Sequence, residues 1–314
     1  MEYQFYKMVN KIKVLFIVFL FSNFINSQKI PLIIDADTAN EVDDLFAICG
    51  ALSDSNFNII GITASQFNTS PLATSNTALE SKNINDEILK LLKMESIPSL
   101  IGSSSPIESV FKVKNSQASS FIIEKSRLYT NENPLNIVIL GSCTNVATAI
   151  INAPDILKKI KVYYLGFWHE PKTNLYNKNE FNSRNDPLAI NFLLNSSGLD
   201  FSVMTASTSK DLIFKRNELE IYLSNNNPLG PYLTNRWDSY ERWWTDDDKE
   251  KKQWIMWDVA VIEVIANIHN SEFEFFDTPS DNLNRKIKIF TKIDVSNIKK
   301  RYWKKLQKFN NINL

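Results

Sequence analysis

The sequence predicts an α/β protein with a Rossmann-like, mostly parallel central sheet and helices on both faces. Three observations support this prediction. Short apolar runs rich in branched residues alternate with helical patterns along most of the chain. The predicted strands are apolar almost throughout, as strands buried on both faces are. The composition is that of a folded globular protein, since 44% of the 314 residues are hydrophobic and 22% are charged.

The predicted elements follow one another as repeated strand and helix units. Strands are predicted at 30–34, 57–63, 136–140, 161–165 and 201–204, and helices at 43–52, about 74–92, 144–151, 186–194 and 257–268. Residues 286–293 alternate like an edge strand, and 299–308 predict a solvated amphipathic helix. In a parallel sheet the ligand crevice lies beyond the carboxyl ends of the strands, so we expect functional residues there.

Residues 1–27 predict a secretory signal peptide. Lys7, Lys11 and Lys13 precede a short apolar run at 14–21, and small or polar residues follow it. The run is far shorter than the ~20 residues that a transmembrane helix needs. We therefore expect 28–275 to form the main domain, 276–314 to extend that domain, and the mature protein to be periplasmic or secreted without stable membrane association.

The charges and cysteines narrow the class of ligand. Lys and Arg together number 35, as do Asp and Glu, so no net field favours binding to nucleic acid. Cys49 and Cys143 are the only cysteines, and only two histidines are present, which disfavours a soft-metal site. Any metal is expected to be held by oxygen. Two buried thiols are favoured over a disulfide, which the sequence leaves open.

The stretch after the first predicted strand carries an unusual density of carboxylates. Five of them fall within ten residues: Asp35, Asp37, Glu41, Asp43 and Asp44. The strand delivers the first two to its carboxyl end, and the last two begin a helix, whose positive end tolerates negative charge. A helix cap explains only one of the five. Because the others repel one another unless a cation is present, we expect a hard cation such as Ca²⁺, with ~6–8 oxygen ligands.

This arrangement of aspartates resembles the signature of the nucleoside hydrolase family. Four more stretches resemble the motifs of that family: 61–68 with 76–79, 140–145 (LGSCTN), 180–187 (EFNSRNDP) and 257–260 (WDVA). Each is weak alone, but five in the expected order, spanning 30–268, are specific. The resemblance implies the nucleoside hydrolase fold and calcium-dependent hydrolysis of the N-glycosidic bond of a ribonucleoside, with a place in purine metabolism.

The resemblance also implies roles for individual residues. The calcium ligands would be Asp37, Asp44, the Thr144 carbonyl and Asp258, and the ion would also bind the ribose 2′- and 3′-hydroxyls and a water. Asp37 would be the general base on that water. Ribose contacts would come from Asp43, Asn68, Glu180 and Asn182. Such a cluster suits the reaction, because carboxylates stabilise an oxocarbenium-like sugar and a carboxylate base activates water.

The sequence departs from the family at several places. The loop at 38–42 has five residues where the commonest form has three, so Glu41 is a candidate further ligand. Phe167 stands where the family often has glycine. Trp257 stands where some members carry the histidine that protonates the departing base, and His169, which follows a strand end, is expected in a solvated loop.

Aromatic residues offer another way to activate the base. Stacking contributes roughly 1–3 kcal/mol per base, and purine-preferring relatives use it. Trp243 and Trp257 are predicted to line the base pocket, whereas the stripe of Trp237, Tyr240 and Trp244 fits the core and a base clamp equally well.

Two other functions remain open from the sequence. Residues 35–38 (DADT) superficially match the nucleophile loop of a haloacid dehalogenase-like phosphatase, although Ala39 is atypical there and the later carboxylates are left without a role. A non-catalytic secreted calcium- and sugar-binding protein on the same fold is the second. The favoured partner is a small-molecule nucleoside, and a homo-oligomer is possible.

Overall fold

The computed structural model describes residues 29–223 and 228–312, so the predicted signal peptide lies outside the described residues. The strands are β1 (Ile30–Ala36), β2 (Phe57–Ala64), β3 (Ser99–Ile101), β4 (Leu135–Ile139), β5 (Ile160–Leu165), β6 (Trp168–Glu170), β7 (Leu175–Asn177), β8 (Asp200–Met204), β9 (Ile213–Lys215), β10 (Gln253–Ile255), β11 (Ser271–Asp277) and β12 (Lys286–Ile293).

The helices alternate with these strands. They are α1 (Asp43–Leu52), α2 (Thr77–Leu91), α3 (Gln117–Ser126), α4 (Thr144–Asn152), α5 (Phe181–Asn185), α6 (Pro187–Asn195), α7 (Ala206–Ser209), α8 (Arg216–Tyr222), α9 (Leu229–Ser239), α10 (Trp257–Ala266) and α11 (Val295–Ile312). The predicted ends of α1 and the predicted start of α10 agree with the structure to the residue.

Eight strands form the central sheet in the order β11-β12-β8-β5-β4-β1-β2-β3. All pairs are parallel except β11 with β12. The Rossmann-like fold class is thereby confirmed. From β1 the chain builds the sheet to one side through β2 and β3, then continues on the other side with β4. This switch opens a crevice at the carboxyl ends of β1 and β4, where such sheets bind ligands.

The core lies in two layers, one on each face of the sheet. Side chains alternate between them, so Leu32 and Ile34 of β1 pack with α1, α10 and α11, whereas Ile33 packs with α3, α4 and α6. All three side chains are fully buried. Burial on both faces explains why the central strands are apolar throughout.

The prediction that 286–293 is an edge strand is wrong. β12 has the predicted bounds but lies between β8 and β11, and β11 is the edge. One lysine of β12, Lys288, lies against aromatic side chains of β11, whereas Lys286 and Lys292 are exposed and pair with Asp277 and Glu272. The Lys288 amine lies 4.5 Å from the centroid of the Phe273 ring and 5.9 Å from that of Phe275.

The C-terminal helix α11 packs one face against the core. Tyr302 and Trp303 are buried, and the Tyr302 hydroxyl donates to the carbonyl of Phe46 in α1 at 2.9 Å. Among the described residues, no helix is both long and apolar enough to cross a bilayer. Cys49 and Cys143 are separate, buried thiols, and burial raises the pKa of Cys49 to about 12.

Candidate active site

A pocket of about 230 Å³ opens at the switch point of the sheet, where sheets of this kind bind ligands. Its walls come from the ends of β4 and β5 and from the starts of α1, α5 and α10. The lining residues are Asp37, Asn40, Glu41, Asp43, Asp44, Leu140, Leu165, Trp168, Asn179, Glu180, Phe181, Asn182, Arg184, Ala206, Trp243, Trp244, Trp257 and Asp258.

Asp37 is the first residue beyond β1 and lies against the loop after β4. An added Cβ on Gly141 would come within 2.8 Å of Asp37 Oδ1 and 2.3 Å of Ser65 Oγ, so only glycine allows this close approach. Asp37 is 1% exposed, and its Oδ2 atom has no hydrogen-bond partner among the residues that the structure describes. An unpaired carboxylate oxygen at a buried position is costly unless a ligand satisfies it.

Three more carboxylates meet where α1 and α10 begin. Oxygen atoms of Asp43, Asp44 and Asp258 lie within 4.8 Å of one another. The backbone N–H of Asp258 donates to Asp43 Oδ2 at 3.3 Å. Because Met256 supplies no side-chain cap for α10, the Asp43 carboxylate takes that place and ties the two helix starts together.

Electrostatics in this cluster is unfavourable without a cation. Burial, followed by repulsion from Asp43, raises the pKa of Asp37 well above its usual range. The pKa of Asp44 is also well raised, by burial and then by repulsion from Asp37. The pKa of Asp258 is well raised by burial and then by repulsion from Asp44. Burial raises the pKa of Asp43 to about 7 against the opposing effect of the Asp258 amide. No lysine or arginine in 29–223 or 228–312 forms an ion pair with these four.

The donor set fits a hard divalent cation. Within 29–223 and 228–312, four buried carboxylate oxygens of the pocket have no hydrogen-bond partner: Asp37 Oδ2, Glu41 Oε2, Asp44 Oδ1 and Asp258 Oδ1. Every candidate ligand atom is oxygen, which Ca²⁺ and Mg²⁺ prefer over nitrogen or sulfur. The structure therefore provides both a charge that needs neutralising and ligand atoms that are free to do so.

The longer loop at 38–42 places Glu41 in the pocket. The Asn40 amide donates to the Asp37 carbonyl at 2.7 Å, and the Asn40 carbonyl accepts from the Tyr240 hydroxyl. Thr38 donates to Asn85 Oδ1 at 2.7 Å. These bonds fix the loop, and burial, with repulsion from Asp43, raises the pKa of Glu41 well above its usual range.

Glu180 and Asn182 connect α5 to the ends of β4 and β5. Glu180 caps α5 by accepting from the backbone N–H groups of Asn182 and Ser183, at 2.9 and 3.1 Å. The Asn182 side chain donates to the carbonyls of Leu140 and Leu165, at 2.7 and 3.1 Å. Both residues are buried and line the pocket, and the ribose contact expected of them stays a prediction.

The chain between β5 and α5 is locally strained. Phe167 has φ +62°, in the left-handed region that favours glycine, which accounts for the glycine that the resemblance led us to expect there. Its amide donates to Glu180 Oε2 at 3.2 Å. The ring is fully buried against Tyr164 and Tyr176, with centroids 5.5 and 5.9 Å away. This packing and the bond to Glu180 hold the strained backbone in place.

The aromatic side of the pocket includes Trp243 and Trp257, the two residues that the sequence analysis assigned to a base pocket. Neither indole N–H has a partner among the described residues. The stripe of Trp237, Tyr240 and Trp244, which fitted the core and a base clamp equally well, is divided between core and pocket, because α9 ends at Ser239. Trp237 is fully buried and Trp244 lines the pocket, whereas the Tyr240 hydroxyl binds the loop beside Asp37.

Two predicted site residues do not reach the pocket. Asn68 is exposed, and its side chain donates to the Ser104 carbonyl and accepts from the Thr77 hydroxyl, each at 2.7 Å. Thr144 begins α4, where its hydroxyl donates to Asp186 Oδ2 at 2.8 Å. The ribose contact expected of Asn68 therefore has no support in the pocket geometry. The calcium contact expected of Thr144 involves its backbone carbonyl, which this hydroxyl bond does not test, so it stays a prediction.

The expectation that His169 lies in a solvated loop is wrong. It is 5% exposed, its ring packs against Tyr176 and Phe276 with centroids 4.5 and 4.7 Å away, and its Nε2 pairs with Asn174 at 3.0 Å. It does not line the pocket, so it supplies no acid for a leaving group there.

Several lining residues were missed from the sequence. They are Asn40, Trp168, Asn179, Phe181 and Arg184. A signal existed for two of them, since Phe181 and Arg184 follow the Glu180 cap at spacings that place them on one side of a helical turn. Trp168 and Asn179 carry no comparable pattern, because they reach the pocket through the irregular segment between β5 and α5.

The model of the family described as inosine-uridine preferring nucleoside hydrolase matches residues 32–300. No curated protein sequence matches the chain.

Solved structures share the fold. A plant nucleoside hydrolase has 17% identity and a TM-score of 0.72, covering 89% of this chain and 99% of its own. A purine-preferring ribonucleoside hydrolase from Gardnerella vaginalis has 19% identity and a TM-score of 0.70, covering 90% and 99%. An inosine-uridine preferring nucleoside hydrolase from Bacillus anthracis has 13% identity and a TM-score of 0.65, covering 90% and 100%. The predicted fold is confirmed.

Proposed function

The chain belongs to the inosine-uridine preferring nucleoside hydrolase family, and on that premise we propose that it hydrolyses ribonucleosides to ribose and free base in a calcium-dependent reaction. It is a hydrolase that acts on N-glycosyl compounds. Family membership also favours this function over a haloacid dehalogenase-like phosphatase, which the sequence had left open.

One observation carries the calcium requirement. The oxygens of Asp43, Asp44 and Asp258 converge within 4.8 Å, and buried oxygens of Asp37, Asp44 and Asp258 lack a hydrogen-bond partner in the described part of the chain. Oxygen donors from several carboxylates are the set that Ca²⁺ takes in proteins. When bound among these residues, Ca²⁺ would supply a positive charge that holds the ribose 2′,3′-diol and a water molecule.

Asp37 is proposed as the general base. Its carboxylate lies in the pocket with a free Oδ2, beside the three converging aspartates. It takes one proton from the attacking water, whose oxygen bonds to C1′ while the electron pair of the N-glycosidic bond leaves with the base. The surrounding carboxylates stabilise the oxocarbenium-like sugar that develops. A positioned base of this kind typically contributes ~10²–10⁴ in rate.

Glu180 and Asn182 are proposed to orient the ribose. Both are held rigidly by bonds to backbone groups of α5, β4 and β5. Trp243 and Trp257 form the aromatic wall on which the base stacks. Stacking of this kind contributes roughly 1–3 kcal/mol per base, and it orients the base for departure.

The test is a nucleoside panel. Inosine, guanosine, adenosine, uridine and cytidine are assayed for reducing sugar, with calcium and with a chelator. We expect base release that depends on calcium, and a loss of at least about 10²-fold in Asp37→Asn. Asp246→Asn is the matched control, because Asp246 is exposed and outside the pocket.

The folded state of Asp37→Asn provides a second readout. Since Asp37 is repelled by its neighbours, its neutral replacement is expected to raise the melting temperature of the calcium-free protein. Retained turnover in this variant would exclude Asp37 as the base. No base release by the wild type from any nucleoside, with calcium binding intact, would instead favour a non-catalytic calcium- and sugar-binding protein.

Export is proposed from residues 1–27 alone. Expression of the full chain followed by N-terminal sequencing of the mature protein tests it. A mature N-terminus near residue 28 in the periplasm or medium supports export, and an intact Met1 in a protein retained in the cytoplasm excludes it.

A further inference from the structure

Arg184 is a cation in a pocket whose other ionisable side chains are all carboxylic acids. It lies in α5, four residues after the Glu180 cap. Its guanidinium carbon lies 5.1 Å from the centroid of the Phe181 ring and 5.9 Å from that of the Trp243 ring. Phe181 and Trp243 themselves touch, with ring centroids 5.6 Å apart.

The hydrogen-bonding groups of Arg184 are unused. Within 29–223 and 228–312, its side chain forms no ion pair and no hydrogen bond, and only its backbone amide is engaged, with the Glu180 carbonyl. Contact with aromatic rings occupies none of the five N–H donors, which lie in the guanidinium plane. The pocket therefore presents a planar donor fork beside the rings that would stack a base.

From this placement, and resting on the proposed function, we infer that Arg184 binds the departing base by donating two N–H bonds to the adjacent O6 and N7 acceptors of a 6-oxopurine. Bidentate pairing of arginine with these two atoms is the commonest specific contact to guanine. Adenine presents an amino donor in place of O6, and uracil offers no adjacent pair of acceptors. Arg184 would thus select hypoxanthine and guanine.

The same contact assists bond cleavage. When the C1′–N9 bond breaks, its electron pair passes to the base, and the negative charge spreads to N7 and O6. A guanidinium is charged at every relevant pH and stabilises that charge without giving up a proton. The base then takes a proton from solvent, to which Asp37 returns the proton it received from water. This replaces the acid that a histidine before Asp258 would provide.

The experiment compares Arg184→Gln, Arg184→Lys and the wild type on inosine, guanosine and adenosine with calcium present. The wild type is expected to have kcat/KM about 10- to 100-fold higher for the two oxopurine nucleosides than for adenosine. Arg184→Gln is expected to lose most of that ratio by slowing inosine and guanosine more than adenosine. Arg184→Lys keeps the charge without the fork and is expected to fall between them.

Controls separate this inference from the proposed function. Arg127→Gln changes an exposed arginine outside the pocket and is expected to keep the wild-type ratio. Melting temperature and calcium titration report whether each variant folds and keeps its metal site. If the wild type releases base but Arg184→Gln slows every nucleoside equally, the inference is wrong and the proposed function stands.

A second arm uses inosine 5′-monophosphate, because a guanidinium also binds phosphate. If the wild type hydrolyses the nucleotide better than inosine and Arg184→Gln abolishes only that advantage, Arg184 recognises an anion on the sugar and the assignment to the base is overturned. An unchanged nucleotide-to-inosine ratio in Arg184→Gln supports the assignment. If the wild type releases no base from any substrate, the proposed function fails and the inference fails with it.

Discussion

At the scale of single residues, Gly141 sets the position of the Asp37 carboxylate. A methyl group there would meet Ser65 Oγ at 2.3 Å and Asp37 Oδ1 at 2.8 Å, both too close without movement. We expect Gly141→Ala to displace the Asp37 carboxylate and to lower kcat by 10-fold or more, since misplacement by about 1 Å costs ~10²-fold.

The fold should survive this change, because the clash involves side-chain ends. The measurement is kcat on inosine with circular dichroism as the control. A wild-type kcat in a folded Gly141→Ala protein would contradict the close packing of Asp37.

Eight of the ten site residues predicted from the sequence line one pocket. The sequence could place them because strand ends and helix starts follow from apolar patterns, and such ends meet in a parallel sheet. It could not show where the side chains of Asn68 and Thr144 go, since they bond to Ser104 and Asp186, which are 36 and 42 positions away in the chain. Arg184 was missed because a single arginine in a motif looks like a solvated surface residue.

At the scale of elements, α11 is joined to α10 and to the end of α1 by a buried ionic cluster. Arg301 and Lys305 both contact Asp54 and Glu263, and Lys305 Nζ lies 3.1 Å from Asp54 Oδ2. The Glu263 side chain is fully buried and that of Asp54 is 4% exposed. Because α10 carries Asp258 on its first turn, this cluster helps to fix the helix that positions Asp258.

Removal of one cation should weaken that connection. Arg301→Met leaves two buried carboxylates with one lysine, and we expect it to lower the free energy of unfolding by roughly 2–4 kcal/mol, since an unpaired buried charge is costly. Chemical denaturation measures this. Lys300→Met, on the exposed side of the same helix, is expected to change it by less than about 0.5 kcal/mol. Equal effects of the two changes would contradict a structural role for the cluster.

The C-terminal elements were the least predictable part of the fold. The spacing in α11 correctly gave an amphipathic helix, but its partners, Asp54 and Glu263, are separated from it by 38 residues or more. Likewise β12 was placed at the edge because nothing in its sequence reveals that β11 covers it. Long-range pairing of this kind is not encoded in local periodicity.

At the scale of the whole molecule, the order of strands brings together acids that are far apart in sequence. Asp43 and Asp258 meet across 215 positions because α1 and α10 lie side by side on one face of the sheet. Folding therefore assembles a cluster that opposes its own stability when no cation is bound.

The destabilisation of the folded protein by these carboxylates depends on pH. The cluster carboxyls have folded pKa values above their unfolded ones, about 7 for Asp43 and well raised for Asp37, Asp44 and Asp258. They favour folding while protonated, so their contribution is lost as pH rises through about 7. We expect the melting temperature of the calcium-free protein to fall between pH 5 and pH 8.

Calcium should reverse that loss, because binding displaces the protons and neutralises the charges. At 100 times its dissociation constant it would add about 2.7 kcal/mol. Melting curves with chelator and with excess calcium across this pH range measure both effects. A calcium-free protein that becomes more stable toward pH 8 would contradict the repulsion inferred for the cluster.

The most direct test combines calcium titration with hydrolysis on the same preparations. Isothermal titration calorimetry and an inosine assay are applied to the wild type, Asp258→Asn and the exposed control Asp246→Asn. We predict one calcium ion per chain and calcium-dependent base release in the wild type and the control, with both lost together in Asp258→Asn. Undiminished hydrolysis after calcium is removed, or wild-type calcium binding by Asp258→Asn, would contradict the account.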